Sequence, residues 1–251
     1  MPKSSWLLQR PSKLPEVVAS FWVIKILTTG MGEAASDFLV RTFGPLIAVA
    51  GGFLIFAAAL TAHFVSKRFS KWLYWLAVAM VSVFGTMAAD ILHIGLGVPY
   101  LVSTVFFAVV LILTFAVWKF VEGSFAMSSI TSARSEIFYW VTVLATFALG
   151  TAAGDMTART LNLGYLNSGL LFGVCFALPL IAYLVKQSPI MFWLAYVATR
   201  PFGASFADWI GAERSHGGLG FGFGNIALVL TVAMVIVIAA TKSVAGVRVE
   251  S

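Results

Sequence analysis

The residues of this chain with chemistry to offer are carboxylates in an apolar setting. Asp37, Asp90, Asp155 and Asp208 each stand five residues after a glycine (Gly32, Gly85, Gly150, Gly203) and fifteen after a tryptophan (Trp22, Trp75, Trp140, Trp193). An ionised carboxylate inside a bilayer costs about 2.5–3.5 kcal/mol even on insertion scales, so four at one register call for a functional explanation. Oxygen ligands suit Mn or Mg, whereas one cysteine and three histidines argue against copper and weaken zinc. A blander account stands beside this one. Each Asp lies about 22 Å along a helix from its Trp, in the outer third of a membrane, where a carboxylate can simply cap or tether a loop.

The four copies differ in ways that matter. The first adds Lys25, Thr28, Thr29 and Glu33; the fourth adds Thr199 and Arg200, followed by Pro201. Thr86 and Thr151 take the register of Glu33 in the second and third copies. Lys25 and Arg200 fall mid-span, and a buried charge needs a partner, so each is expected to pair with Glu33 or one of the Asp residues. Pro201 frees a backbone carbonyl and is expected to kink or break its helix. His93, three residues after Asp90, suits a proton relay or metal ligation, or else a satisfied interfacial imidazole. The candidate metal ligands and proton carriers are therefore Glu33, Asp37, Asp90, Asp155 and Asp208. Lys25, Arg200 and His93 are the coupling charges, and Thr28, Thr29, Thr86, Thr151 and Thr199 the polar lining. No H-E-x-x-H, G-x-S-x-G or phosphate-binding loop is present, so no enzyme activity is expected.

The elements that must position these groups are membrane helices. The chain is 251 residues long, 60% apolar and 10% charged, with mean hydropathy +0.97; a soluble domain carries about 25% charged residues. Eight segments approach the roughly 20 apolar residues that span a bilayer, near 16–40, 44–65, 71–94, 98–120, 135–158, 163–185, 189–210 and 219–241. Odd segments carry Trp…Gly…Asp, so each repeat is a two-span hairpin. Small residues recur four apart on the odd segments: Gly32 and Ser36, Gly85 and Ala89, Gly150 and Gly154, Gly203 and Ala207. Such stripes let backbones approach closely in lipid. If they face the interior, the neighbouring polar stripe brings the four carboxylates together at one depth.

The expectation is an all-α polytopic protein of four parallel two-helix repeats about the membrane normal. It divides into a 1–15 segment, a first half 16–122, a polar link 123–134, a second half 135–241 and a 242–251 tail. Eleven Lys and Arg fall in the loops and termini of one side (Lys3, Arg10, Lys13, Lys67, Arg68, Lys71, Lys119, Arg134, Lys186, Lys242, Arg248) against Arg41, Arg159 and Arg214 on the other. The positive-inside rule then puts both termini in the cytoplasm, and the +6 net charge sets orientation rather than binding nucleic acid. Eight tryptophans supply interfacial belts. His63 is expected at an interface, His216 in an exposed loop and Cys175 in plain helix packing.

The segments PEVVASFWVIKILTTGMGEAASD, VFGTMAAD, YWVTVLATFALGTAAGD and TRPFGASFADW resemble the four signatures of a bacterial inner-membrane family of unknown function. That family is built from four tandem two-span repeats, each with a signature Trp. The resemblance covers about residues 14–241 and implies fold and repeat number, with cation or manganese handling as the activity to look for. The residues and the resemblance together favour a small secondary transporter exporting a divalent cation such as manganese against protons, with the lipid bilayer, the cation and protons as partners. A homo-oligomer stays open, and no cofactor is expected beyond the metal as substrate. Two alternatives remain: a proton-coupled carrier of a small organic anion bound by Lys25 and Arg200, and a non-transporting scaffold or sensor.

Overall fold

Apolar runs punctuated by Pro, Gly and Ser give eight α-helices in the computed structural model, which describes residues 12–241. Lys3, Arg10, Lys242 and Arg248 of the charge count lie outside the described residues, as does the 242–251 tail. The helices are α1 (Ala19–Phe43), α2 (Pro45–Val65), α3 (Lys71–Asp90), α4 (Tyr100–Glu122), α5 (Ala133–Asp155), α6 (Gly164–Lys186), α7 (Pro189–Gly211) and α8 (Phe223–Ala240). Their ends follow local chemistry. Pro45 and Pro189 open α2 and α7, where a missing N–H costs nothing. Ser132 and Ser135 cap α5 reciprocally, each hydroxyl accepting from the other's backbone N–H. Gly44, with φ +80°, makes the one-residue turn between α1 and α2 that an L side chain would resist.

Six helices are long and apolar enough to cross a membrane by length and composition alone: α2, α3, α4, α5, α6 and α8. α1 and α7 are 25 and 23 residues long and carry Lys25, Glu33, Asp37 and Arg41, and Arg200 and Asp208. Both are packed among the apolar helices, which bury Lys25, Glu33, Arg200 and Asp208.

The odd helices close a ring in which α1 packs on α3, α3 on α5, α5 on α7 and α7 on α1. Each even helix leans on the odd helix of the following repeat: α2 on α3, α4 on α5, α6 on α7, α8 back on α1. Even helices turn Leu46, Phe106, Leu178 and Leu228 outward, as lipid-facing surfaces do.

The glycines show how tight the ring is. A Cβ on Gly32 would collide with Ser82 of α3, one on Gly150 with Arg200 of α7, and one on Gly203 with Thr29 of α1; on Gly85 it would press on Phe147 of α5 at 3.2 Å. The four partners occupy one register of the repeat, three residues before its glycine, and the relation passes from each ring helix to the next around the whole cycle. The small stripes thus face the neighbouring ring helix. The next stripe, at 21, 25, 29, 33 and 37 in α1 and its equivalents, points to the axis.

The repeated tryptophans are buried, with Trp22, Trp75, Trp140 and Trp193 at 2–5% exposure, so they form no interfacial belt. Each stands edge-on to the ring before it: Phe21–Trp22, Tyr74–Trp75, Tyr139–Trp140 and Phe192–Trp193 at 5.0–5.3 Å. Edge-to-face geometry suits the ring quadrupoles, and the eight rings fill one end of the bundle, the Trp end. Residues 12–18 fold across that end with Leu14 buried. The other end, where the odd helices reach their aspartates, is the Asp end.

If close approach at the glycines holds the ring together, Gly32→Val and Gly203→Val each lower stability by about 1–3 kcal/mol. Gly51→Ala on α2, where a Cβ meets nothing within 4 Å, leaves it unchanged; thermal unfolding in detergent micelles reads all three.

Candidate functional site

The axis is built in levels one helical turn apart, and Arg200 of α7 occupies its middle. Its side chain is fully buried. Nη2 pairs with Glu33 Oε2 of α1 at 2.5 Å, donates to Thr151 Oγ1 of α5 at 2.9 Å and also donates to Thr86 Oγ1 of α3. Nη1 donates to the carbonyl of Thr29 at 3.3 Å. Glu33, Thr86 and Thr151 hold the same register in three repeats. The fourth copy has Ala204 there, on the helix that brings the arginine. One guanidinium nitrogen therefore meets one residue from each of the other three ring helices, its two N–H bonds shared among three oxygens, while Nη1 holds the Thr29 carbonyl.

Lys25 sits one level toward the Trp end, fully buried like Arg200. The expectation that it pairs with a carboxylate is not met. Its Nζ lies between the rings of Phe147 and Tyr196, 4.1 and 4.3 Å from their centroids, and makes no hydrogen bond within the described residues. Glu33 is eight residues further along the same helix, about 12 Å away at 1.5 Å per residue, while Arg200 enters the axis a single turn from it. The closer cation takes the carboxylate, and cation–π contact with two faces stabilises the other.

The four aspartates close the inward stripes of the four ring helices at one level of the Asp end. Asp155 and Asp208 are buried, and Asp37 and Asp90 are half-buried. Asp37 pairs with Arg41 at 3.5 Å and Asp155 with Arg159 at 3.1 Å, both along the helix to exposed guanidiniums. Asp90 and Asp155 end their α-helices where a π-helical turn begins, Ile91–Gly95 and Met156–Thr160; such turns often mark functional positions. The five acids expected as one set of metal ligands are not gathered as one. Among the described residues no group of three His, Cys, Asp or Glu stands close enough to hold a metal ion. Shared register fixes the depth of the carboxylates but not their radius from the axis, and Glu33 is already committed to Arg200.

The remaining candidates divide. Thr86 and Thr151 join the site through their hydroxyls and Thr29 through its carbonyl. Thr29 Oγ1 also donates to the carbonyl of Thr199 at 3.1 Å, tying α1 to α7. Thr28 and Thr199 spend their own hydroxyls on carbonyls three residues back in their helices. His93 stays apart from the aspartates: Nδ1 is 3.1 Å from the Val98 carbonyl, Nε2 is 3.4 Å from Ser103 Oγ, and its ring lies against Tyr100. It fastens the loop between α3 and α4. Pro201 leaves α7 unbroken and packs on Gly150 and Gly154.

Three groups at the Trp end were not among the candidates. Glu136 of α5 is buried and salt-bridged to Lys13 at 3.0 Å and His63 at 3.2 Å. His63, in the last turn of α2, is buried at 2% exposure. Above them the hydroxyls of Tyr74 and Tyr139 meet at 2.5 Å. The available signal was the aromatic residue that precedes every repeated Trp, twice a tyrosine.

Removing one partner of a buried ion pair costs about 3–5 kcal/mol, so Arg200→Gln is expected to destabilise by that order. Arg200→Lys recovers only part, because one ammonium nitrogen cannot meet both the Glu33, Thr86 and Thr151 oxygens and the Thr29 carbonyl. The double variant Arg200→Gln/Glu33→Gln is expected to be more stable than Arg200→Gln alone, and a double-mutant cycle of unfolding midpoints measures the coupling.

Neither a curated protein nor a solved structure matches this chain. A family described as Repeat of Unknown Function (DUF347) matches four times in tandem, over 20–69, 73–124, 138–188 and 191–245. Each match holds one odd helix and the even helix after it, so the ring and its outer layer are the family's repeat used four times, and the chain belongs to the DUF347 repeat family.

Proposed function

We propose that this protein is a proton-coupled secondary transporter of a cation, in a bacterial inner membrane with both termini cytoplasmic. One observation carries the reading. Lys25, Arg200 and Glu33 are buried at successive levels of one axis, and that axis ends in a ring of four carboxylates. A structural ion pair needs no acidic mouth. A transporter does, because clustered carboxylates in a low-dielectric opening concentrate cations and hold exchangeable protons.

Oxygen is the ligand type on offer, which favours a hard divalent cation with manganese as the first to try. The metal here is cargo, so a site that holds it only part of the time suits the task. Ligation requires the ring to draw together, and Glu33 becomes free to join it when its pair with Arg200 opens. Arg200 and Lys25 then keep the empty axis from accumulating negative charge.

A second reading has its own support: Lys25 Nζ and Arg200 Nε are buried and accept no partner among the described residues. Donors in that state suit a small organic anion carried with protons, the aspartates supplying the coupling.

A ligand that binds only the folded state raises apparent stability, by about 2.7 kcal/mol at a hundred times its Kd. Under the cation reading, Mn2+ raises the unfolding midpoint of the purified protein, more at neutral than at acidic pH because protons compete for carboxylates. Asp90→Asn and Asp155→Asn are expected to remove that shift and the metal tolerance the protein confers on cells. If both variants keep shift and tolerance, the metal reading is wrong; stabilisation by carboxylate metabolites that Lys25→Ala abolishes would put the anion in its place.

A further inference from the structure

We propose that Glu136, with His63 and Lys13, is a second proton-exchanging site at the Trp end, joined to the aspartate ring by the polar column along the axis. The proposal rests on the transport reading above and names the other terminus of its proton path.

The geometry begins with the stripe that faces the axis. Glu136 lies three residues before Tyr139, one position round α5 from the inward stripe that Asp155 closes at the far end. The 19-residue step from Glu136 to Asp155 rises about 28 Å, close to the hydrocarbon thickness of about 30 Å. The two carboxylates therefore mark opposite faces of the membrane on one helix. Buried polar groups stand along the interval, and within it Lys25 Nζ and the Tyr196 hydroxyl have no hydrogen-bond partner among the described residues. The Tyr139 hydroxyl meets that of Tyr74 at 2.5 Å. The ring of Tyr196 holds Lys25, and Arg200, Thr86, Thr151 and Glu33 follow. Tyr74, Tyr139, Tyr196, Lys25 and Arg200 are all at 0% exposure, so the column is screened from lipid throughout. Buried hydroxyls and cations have a structural cost that an apolar core would avoid.

Glu136 has the surroundings of an exchanging acid. Lys13 reaches it from the segment that crosses the bundle end, with its Nζ also donating to the Phe64 carbonyl at 3.0 Å. His63 comes from α2. From α3, Tyr74 lies against the His63 ring, while Lys71 is turned away and donates to the carbonyls of Ala239 and Thr241. From α7, the equivalent register holds Pro189, which carries no charge. In this cycle Lys13 is the charge partner of Glu136, and His63 starts neutral with its Nε2 lone pair toward Glu136 Oε1 at 3.2 Å. A proton arriving from the Tyr139 side makes the Glu136 acid and loosens the pair with Lys13. The Glu136 O–H bond then breaks as the Nε2–H bond forms, and His63 releases its Nδ1 proton to the aqueous face before the ring returns to its starting tautomer. At each transfer one O–H or N–H bond breaks as another forms, and the groups return to their starting state with one proton moved.

The test uses the full chain in liposomes of phosphatidylcholine and phosphatidylglycerol, with an entrapped pH-sensitive dye and an imposed Mn2+ gradient. Wild-type protein is expected to move protons against the metal. Glu136→Gln is expected to slow that flux by about a hundredfold, as loss of a positioned proton carrier does, and Tyr139→Phe and His63→Gln to slow it as well. Mn2+ stabilisation of the detergent-solubilised Glu136→Gln protein is expected to remain, because the cation binds at the other end. Proton flux at the wild-type rate in Glu136→Gln overturns this inference and leaves the transport reading standing. If Glu136→Gln does not fold, Tyr139→Phe decides in the same way, since it keeps the ring and removes one oxygen. Absence of proton movement in the wild type, while Asp155→Asn still loses Mn2+ stabilisation, overturns the inference and the proton coupling together but not cation binding.

Discussion

A single guanidinium holds this bundle in register. Arg200 is sealed from solvent and lipid, and its Nη2 meets one residue from each of the other three ring helices. A buried cation is tolerable only when charge-compensated and hydrogen-bonded. Here the compensation comes from Glu33 and the remaining acceptors from Thr86 and Thr151. The contacts are mutually dependent. Sliding any ring helix by one residue would carry its acceptor off by about 1.5 Å and round by a fraction of a turn. The glycines make the arrangement physically accessible, because the stem of Arg200 crosses the space where Gly150 would carry a Cβ. Close backbone packing and the central charge are consequently one constraint.

The scaffold is fourfold and its contents are not. At the level of Arg200 the four copies read Thr29, Ser82, Phe147 and Arg200; one turn on they read Glu33, Thr86, Thr151 and Ala204. A fourfold axis cannot carry four arginines, since like charges a few ångströms apart in low dielectric repel strongly. One cation on the axis, met by three acceptors and a small residue beneath it, is the arrangement that symmetric helices can close around. The outermost level keeps its symmetry because two of its aspartates find arginines on their own helices.

How much of this could be read beforehand depends on whether the information is local. The fixed Trp…Gly…Asp spacing gave repeat number, helix count and the small stripes, because a helix converts spacing into facing without reference to anything else. The choice of Glu33 as partner to Arg200 stood among the expected pairings. The solitude of Lys25 did not, because it depends on which helix faces α1 and at what depth. Spacing likewise fixed the level of the aspartates and left their distance from the axis open, which is why a shared metal shell was expected where none is gathered. Glu136 stands in a helix-opening turn next to a polar link, where an acid ordinarily caps, so nothing local marks it. Only the crossing of residues 12–18 and the approach of α2 bury it. The tryptophans misled for a related reason: their periodicity is the same in an interfacial girdle as in an internal aromatic layer.

The central pair also restricts how any charge could travel along this axis. Arginine does not lose its proton in proteins, so Arg200 stays positive in every state and opposes a cation approaching from the aspartates. The adjustable group is Glu33, which can neutralise Arg200, accept a proton or turn to a cation, but can do only one of these at a time. Under the transport reading, a cation reaching this level would have to draw Glu33 away from Arg200, and a proton on Glu33 would exclude it. Competition for one carboxylate is enough to make the two fluxes exclusive, and exclusivity is what distinguishes exchange from a leak. The aromatic layer at the Trp end, with Lys25 held between Phe147 and Tyr196, closes the other side of the same carboxylate to a metal ion. Under the transport reading, Glu33 is then the position where coupling is decided, and the four aspartates determine which ions arrive to compete for it.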